Sequence, residues 1–128
     1  MCDGFGRRTF LFLGDQDMKL AIIGSRNLHV KNIERYILDG VTEIVSGGAK
    51  GVDRDAEDFA KSSNLKITVF LPEYEKYGRG APIVRNKQIV DYADEVLAFW
   101  DGSSRGTYSV IEYCRKIGKK VNVIERNI

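Results

Sequence analysis

Short apolar runs alternate along this chain with stretches in which apolar residues recur at helical spacing. The run Leu20–Ile23 is apolar throughout and stops at Gly24, which predicts a strand buried on both faces. Strands that alternate with helices lie parallel in one sheet, with the helices on both of its faces. The pattern predicts an α/β fold: a Rossmann-like three-layer α/β/α domain whose sheet has five strands, mainly parallel, in the order 3-2-1-4-5.

The individual elements follow from the same patterns, and no internal repeat or low-complexity segment interrupts them. Strands are predicted at 20–23, 43–45, 67–71, 95–100 and 121–124. Helices are predicted at 30–38, from 52 to near 63, from Pro82 through 90, and from a cap at Thr107 to 117. A loop of about a dozen residues after Pro72 is long for a compact domain, which makes it a candidate functional loop.

Composition and charge exclude several classes of protein. With 128 residues, 30% charged and 43% hydrophobic, the chain has the balance of a globular domain rather than of a disordered or fibrous one. Its net charge of +2 is too small to indicate a nucleic acid or an anionic membrane by itself. No apolar run approaches the roughly 20 residues of a membrane-spanning helix, so no membrane partner is expected.

Cysteine and histidine are scarce. Cys2 and Cys114 are the two cysteines, and His29 is the single histidine. This set predicts neither a disulfide framework nor a metal site, and it favours a reducing, cytoplasmic location.

The first seventeen residues differ from the rest. Residues 1–17 hold a short apolar piece without a signal-peptide cleavage site, and Met18 directly precedes the first predicted strand. We therefore interpret 1–17 as a leader or disordered arm and 18–128 as a single domain. The alternative is a native arm that adds an edge strand through Thr9–Leu13.

Three glycine-rich loops follow predicted strands one, two and four, at residues 24–27, 46–53 and 100–107. In the predicted order they converge at the sheet edge where ligands bind in such folds. Glycine lets a ligand approach the backbone closely, and amides at a helix start favour anions. Hydroxyl and arginine side chains add further donors for phosphate.

These loops predict a site for a phosphate-bearing ligand, although each loop alone is also compatible with a tight turn. None is a Walker motif or a dinucleotide fingerprint. The predicted ligand-binding residues are Gly24, Ser25, Arg26, Ser46, Gly47, Gly48, Gly51, Asp53, Arg85, Asn86, Trp100, Asp101, Gly102, Ser104, Gly106 and Thr107. Lys50, Arg54 and Arg105 are further sources of positive charge.

Aromatic residues near these loops have two interpretations each. Trp100 either stacks on a base or covers the sheet edge. Tyr74 and Tyr77, in the long loop, either close over a ligand or anchor the loop.

The chain resembles a known family. The similarity lies in Gly24-Ser25-Arg26, Ile44–Asp53, Ile83–Lys87, Ala93-Asp94 and Leu97–Thr107. These segments resemble the YspA/YpsA-related branch of the SLOG superfamily, and the resemblance covers about residues 19–124. It implies a Rossmann-like fold and a nucleotide-derived ligand held at the glycine-rich loops, in proteins suspected to sense or process nucleotide signals.

The resemblance transfers poorly to catalysis. The related "lonely guy" phosphoribohydrolases carry a catalytic glutamate three residues after the threonine of their Gly-Thr pair, and here Val110 takes that place. Glu112 comes two positions late, which turns it to another face of a helix. Weak catalytic candidates remain in Asp53, Asp101 and Glu112, because an N-glycosidic hydrolase needs a carboxylate near the sugar.

The favoured hypothesis is a nucleotide-binding sensor or signalling component that requires no cofactor. The first alternative is a nucleotide N-glycosidic bond hydrolase similar to the phosphoribohydrolases. The second is binding of single-stranded DNA, as in the superfamily member DprA, which the small net charge disfavours. Assembly into a homo-oligomer is left open.

Overall fold

The computed structural model describes residues 17–37, 39–48 and 51–125. The interpretation of residues 1–16 as a leader, the strand alternative at Thr9–Leu13, and the expectations for Leu38 and Lys50 lie outside the described residues.

One sheet of five parallel strands forms the middle layer. The strands are β1 (Met18–Gly24), β2 (Val41–Ser46), β3 (Lys66–Val69), β4 (Glu95–Trp100) and β5 (Val121–Glu125). Their order is β3-β2-β1-β4-β5, and every neighbouring pair is parallel. The predicted order 3-2-1-4-5 is therefore confirmed.

Helices cover both faces of this sheet. They are α1 (Val52–Ser62), α2 (Tyr74–Tyr77), α3 (Ala81–Tyr92) and α4 (Arg105–Ile117), with 3-10 turns at Ile33–Tyr36 and Gly78–Gly80. In β1, Leu20 and Ile22 pack in the core under α1, whereas Ala21 and Ile23 pack under α3 and α4. Because both faces of β1 are buried, the strand is apolar at every one of these positions, and the three-layer α/β/α prediction is confirmed.

The helix predicted at 30–38 is wrong. Of the described residues 30–37, only Ile33–Tyr36 is helical, as a single 3-10 turn, and Asn32 before it has a left-handed backbone with φ 56°. The amide of Val30 donates to the Asp55 carboxylate of α1 at 2.8 Å. This contact holds the segment against α1. Val30 and Ile33 are therefore buried in the core although the segment forms only a 3-10 turn.

Two other boundaries near the carboxyl edge of the sheet differ from the predictions. Strand β3 ends at Val69 rather than at residue 71, and the long loop that follows contains α2. Helix α4 begins at Arg105 with Ser104 at its N-cap, so Thr107 is its third residue and not its cap. The Asp101 carboxylate accepts hydrogen bonds from the amides of Ser103 and Ser104, which turns the chain into the helix three residues earlier than predicted.

A buried carboxylate ties β2 to its neighbours. Glu43 accepts hydrogen bonds from the hydroxyls of Thr68 and Tyr92, each at 2.6 Å, and Lys66 Nζ lies 3.7 Å from it. Burial by itself raises the pKa of Glu43, but the hydrogen bonds from Thr68 and Tyr92 and the nearby lysine charges lower it further than burial raises it. Glu43 is therefore held as a carboxylate.

Tyr92→Phe is expected to lower the free energy of unfolding at pH 7 by about 1–3 kcal/mol, because it removes a hydrogen bond to a buried charge. A lowered pKa stabilises the fold above the unfolded pKa of Glu43, and this stabilisation is lost as the pH falls through the folded pKa. The difference between wild type and variant should therefore shrink in acid, measured by urea unfolding at pH 7 and below pH 4.5.

Tyr113→Phe is the matched control, because the Tyr113 hydroxyl donates to the exposed Asp91 carboxylate at 2.8 Å. Its effect should stay within about 0.5 kcal/mol. Equal losses in the two variants would contradict the role given to Glu43.

Candidate functional site

A cleft of about 490 Å³ opens at the carboxyl edge of the sheet. It lies beyond the end of β1, between β2 and β4, where the strand order reverses. Its walls come from every loop that the sequence placed at this edge and from α3. The lining residues are Ile23, Gly24, Ser25, Arg26, Asn27, Gly47, Asp53, Pro82, Arg85, Asn86, Ile89, Asp101, Ser103, Ser104, Gly106, Thr107 and Val110.

The cleft combines an apolar floor with a polar rim. Ile23, Ile89 and Val110 are buried members of the core under α3 and α4, and they reach the cleft from below. Most other lining residues carry hydroxyl, amide or charged groups. Such a mixture is typical of small-molecule sites, in which a few polar groups orient a ligand over apolar walls.

Ser25 joins the loop after β1 to the start of α4. Its side chain is 2% exposed, its Oγ accepts the amide of Asp101 at 3.2 Å, and it lies 3.5 Å from Thr107 Oγ1. Thr107, which is 6% exposed, also lies 3.4 Å from Ser104 Oγ. Three hydroxyl groups from two loops therefore line the same part of the cleft.

Asp101 builds the turn that presents α4. Its Oδ1 accepts the amide of Ser103 at 2.9 Å and that of Ser104 at 2.7 Å. These backbone hydrogen bonds lower the pKa of Asp101 and keep it ionised. The amides of residues 105–107 in the first turn of α4 have no intrahelical acceptor, and they give this end of the helix a partial positive charge.

Arg85 connects α3 to the ends of two strands. Its guanidinium donates to the carbonyl oxygen of Gly47 at 2.8 Å and to that of Phe70 at 3.4 Å, while its Nε donates to Asn86 Oδ1 at 2.8 Å. Burial lowers the pKa of Arg85, and the charge of Asp53 opposes that change. Much of the hydrogen-bonding capacity of Arg85 therefore goes to the protein itself.

Asp53 lies in the first turn of α1 and is 6% exposed. A Cβ atom on Gly47 would lie 2.9 Å from the Arg85 guanidinium and 3.1 Å from Asp53 Oδ2. Glycine at position 47 therefore lets these two charged side chains approach the backbone of the loop. Together the three residues form one wall of the cleft.

The structure brings most of the predicted ligand-binding residues to the cleft and leaves five outside its lining. The five are Ser46, Gly48, Gly51, Trp100 and Gly102. Ser46 is buried and donates to Glu57 at 3.0 Å, so it holds α1 on β2. Of the three candidate catalytic carboxylates, those of Asp53 and Asp101 line the cleft. Glu112 is outside the lining and is exposed on α4, in an ion pair with Arg115 at 2.9 Å.

Aromatic side chains are absent from the lining, as far as the described residues go. The Trp100 indole donates to the carbonyl oxygen of Ser104 at 3.0 Å and packs against Tyr108, with ring centroids 5.6 Å apart. Tyr74 and Tyr77 are exposed on α2.

Sequence reasoning did not assign six lining residues to the site: Ile23, Asn27, Pro82, Ile89, Ser103 and Val110. Ile89 and Val110 follow the helical apolar pattern, which marks them as core. Their place on the cleft floor depends on how α3 packs beside α4, and no local signal carries that information.

The described part of the chain holds no cluster of three or more histidine, cysteine, aspartate or glutamate side chains suited to a metal ion. Within the same residues, no helix is both long enough and apolar enough to cross a membrane. Comparison of the chain with protein-family models, with curated proteins and with solved structures found no match.

Proposed function

We propose that this protein binds a nucleotide or nucleotide-derived small molecule in the cleft, as a sensor or signalling component. One observation carries the proposal: the hydroxyls of Ser25, Ser104 and Thr107 meet at the N-terminal end of α4. Thr107 Oγ1 lies 3.5 Å from Ser25 Oγ and 3.4 Å from Ser104 Oγ, which is long for bonds between hydroxyls, since these prefer about 2.7–2.8 Å. The Thr107 and Ser104 hydroxyls can therefore donate to a phosphate that also accepts hydrogen bonds from the α4 amides, whereas the Ser25 hydroxyl is bonded to the Asp101 side chain.

One exposed cation at the rim suits an anionic ligand, in a lining that also holds the carboxylates of Asp53 and Asp101. Arg26 is exposed and lines the cleft beside Ser25. Arg85 is already engaged by two carbonyl oxygens and faces the charge of Asp53. Arg26 is therefore the better candidate to neutralise a phosphate, while Arg85 shapes the wall.

The resemblance to the YspA/YpsA-related SLOG proteins supports the same ligand class. It favours binding over hydrolysis, because Val110 occupies the place of the phosphoribohydrolase glutamate. That side chain is apolar, buried and on the cleft floor. Glu112, the nearest acid on this helix, is paired with Arg115 instead.

A thermal-shift panel with the full chain tests the proposal. The panel contains AMP, ATP, NAD, ADP-ribose, cyclic nucleotides, a short single-stranded oligonucleotide, and adenosine as a ligand without phosphate. A ligand at 100 times its dissociation constant should add about 2.7 kcal/mol to the free energy of unfolding. We expect a shift with a phosphate-bearing nucleotide and none with adenosine.

The same samples separate the alternatives. Chromatographic detection of free base would favour the hydrolase, and a shift with the oligonucleotide alone that falls steeply with salt would favour DNA binding. The absence of a shift with every compound would contradict nucleotide binding.

Gly106→Ala is expected to keep or raise stability while weakening nucleotide binding. A Cβ atom at Gly106 would meet nothing within 4 Å, and alanine in a helix is more stable than glycine by up to about 1 kcal/mol. The added methyl group stands at the cleft beside the α4 amides, so affinity should fall at least about fivefold, or roughly 1 kcal/mol. Urea unfolding and calorimetric titration with the nucleotide that shifts the wild type measure the two effects.

Ile117→Ala, an exposed substitution in the last turn of the same helix, is the control and should leave affinity unchanged. Unaltered affinity in a folded Gly106→Ala protein would remove the α4 N-terminus from the binding site.

A further inference from the structure

The cleft offers no aromatic surface of its own to a nucleotide base, among the residues that the structure describes. A base has a flat π face, and stacking on an aromatic side chain is a common way to bind it. Two groups of aromatic side chains lie close to the cleft. One is the pair Trp100 and Tyr108 beside α4, and the other is Tyr74 on α2.

The side chains of Trp100 and Tyr108 are already engaged in contacts within the protein. The Trp100 indole is bonded to Ser104, rests against the core under α3 and α4, and contacts the Tyr108 ring. Trp100 therefore fixes the start of α4 against the sheet.

Tyr74 has the opposite character. Its side chain is 58% exposed and makes no hydrogen bond, ion pair or ring contact with another described residue. Its segment nevertheless begins at the cleft, because the guanidinium of Arg85, a lining residue, donates to the carbonyl oxygen of Phe70, four residues before Tyr74, at 3.4 Å. An exposed aromatic side chain without a partner among the described residues, near a cleft whose described lining has no aromatic ring, suits a contact that forms with the ligand.

The segment that carries Tyr74 is loosely held. No residue between 71 and 80 is buried, and α2 is only four residues long. Gly78 and Gly80 follow Tyr74, and a Cβ atom added at either would meet nothing within 4 Å. Segments with so few buried contacts open and close at low free-energy cost.

We propose, resting on the proposed function, that residues 71–80 close over the occupied cleft and lay the Tyr74 ring on the base of the nucleotide. Phosphate recognition at α4 and base recognition at α2 are then separate, and Tyr74 determines specificity for a base-bearing ligand.

Substitution of Tyr74 tests this inference with AMP and ribose 5-phosphate as probes. Tyr74→Leu should weaken AMP binding about tenfold, the effect of losing one stacking contact, and leave ribose 5-phosphate binding unchanged. Tyr74→Phe should restore AMP binding, because the ring is retained. Tyr108→Leu removes the ring that packs on Trp100 and is 47% exposed, and it should leave the ratio of the AMP affinity to the ribose 5-phosphate affinity unchanged.

Limited proteolysis measures the closure of residues 71–80 separately from affinity. Lys76 and Arg79 are exposed trypsin sites inside the segment. Saturating AMP should slow cleavage there several-fold in the wild type, and it should not do so in Tyr74→Leu.

Three results overturn the inference, and they are distinguishable. If the wild type binds neither AMP nor ribose 5-phosphate, the proposed function fails together with it. If both bind with the same affinity, no base contact exists and the proposed phosphate site remains. If Tyr108→Leu lowers the ratio of the AMP affinity to the ribose 5-phosphate affinity and Tyr74→Leu does not, the base lies on the Trp100–Tyr108 pair.

Discussion

Gly51→Ala is expected to lower the free energy of unfolding by about 2–4 kcal/mol, the combined cost of a left-handed backbone and of overpacking. Gly51 has φ 74°, and a Cβ atom there would lie 2.7 Å from the carbonyl oxygens of both Arg26 and Leu28. These are backbone atoms, so relief requires the loop after β1 to move. Because that loop carries Ser25 and Arg26, nucleotide affinity should fall as well. Urea unfolding and calorimetric titration measure the two losses.

Gly118→Ala is the control that separates the cost of backbone strain from the cost of a steric clash. Gly118 also has a positive φ, 77°, but a Cβ atom there would meet nothing within 4 Å. The substitution should lower the free energy of unfolding by about 1–2 kcal/mol, from backbone strain alone, and leave nucleotide affinity unchanged. Equal losses of stability in the two variants would contradict the close contact between the start of α1 and the loop after β1.

Thr107→Val is expected to weaken binding of a phosphate-bearing nucleotide by about tenfold to a hundredfold, because hydrogen bonds to charged groups contribute about 1.5–3 kcal/mol. The change replaces a hydroxyl by a methyl group of similar size at a position that is 6% exposed. Among the described residues, the Thr107 hydroxyl makes only the long contacts to Ser25 and Ser104, so stability should change by no more than about 1 kcal/mol. Affinity and unfolding are measured on the same preparation.

Thr42→Val is the matched control for this variant. Thr42 is exposed at the start of β2, away from the cleft, and should alter neither quantity. An unchanged affinity in folded Thr107→Val protein would exclude its hydroxyl from phosphate binding.

Strand order and layers were predictable because burial on both faces leaves a strong pattern. β1 and β4 are apolar almost throughout, and only a parallel sheet between helices buries strands in this way. The segment around Ile33 was mispredicted because its apolar spacing fits a helix, whereas the Asp55 carboxylate captures the amide of Val30. That contact joins residues 25 positions apart, which local spacing does not encode.

The position of the site, where the loops after β1, β2 and β4 converge, was predictable from the sequence, but the hydrogen bonds of its side chains were not. Glycine and hydroxyl residues at the ends of β1, β2 and β4 indicated where the cleft lies. The sequence did not reveal that Arg85 is engaged by the carbonyl oxygens of Gly47 and Phe70, or that Trp100 is bonded to Ser104. Both facts depend on the direction in which a side chain leaves its helix or strand.

Nuclear magnetic resonance titration of the isotope-labelled full chain with AMP tests the central claim most directly, because it locates binding residue by residue. The account predicts saturable changes in the amide signals of residues 24–27, of Gly47 and of residues 103–107, and no such changes with adenosine up to the same concentration. Saturable changes confined to another surface, or none at these residues at millimolar AMP, would contradict nucleotide binding in this cleft.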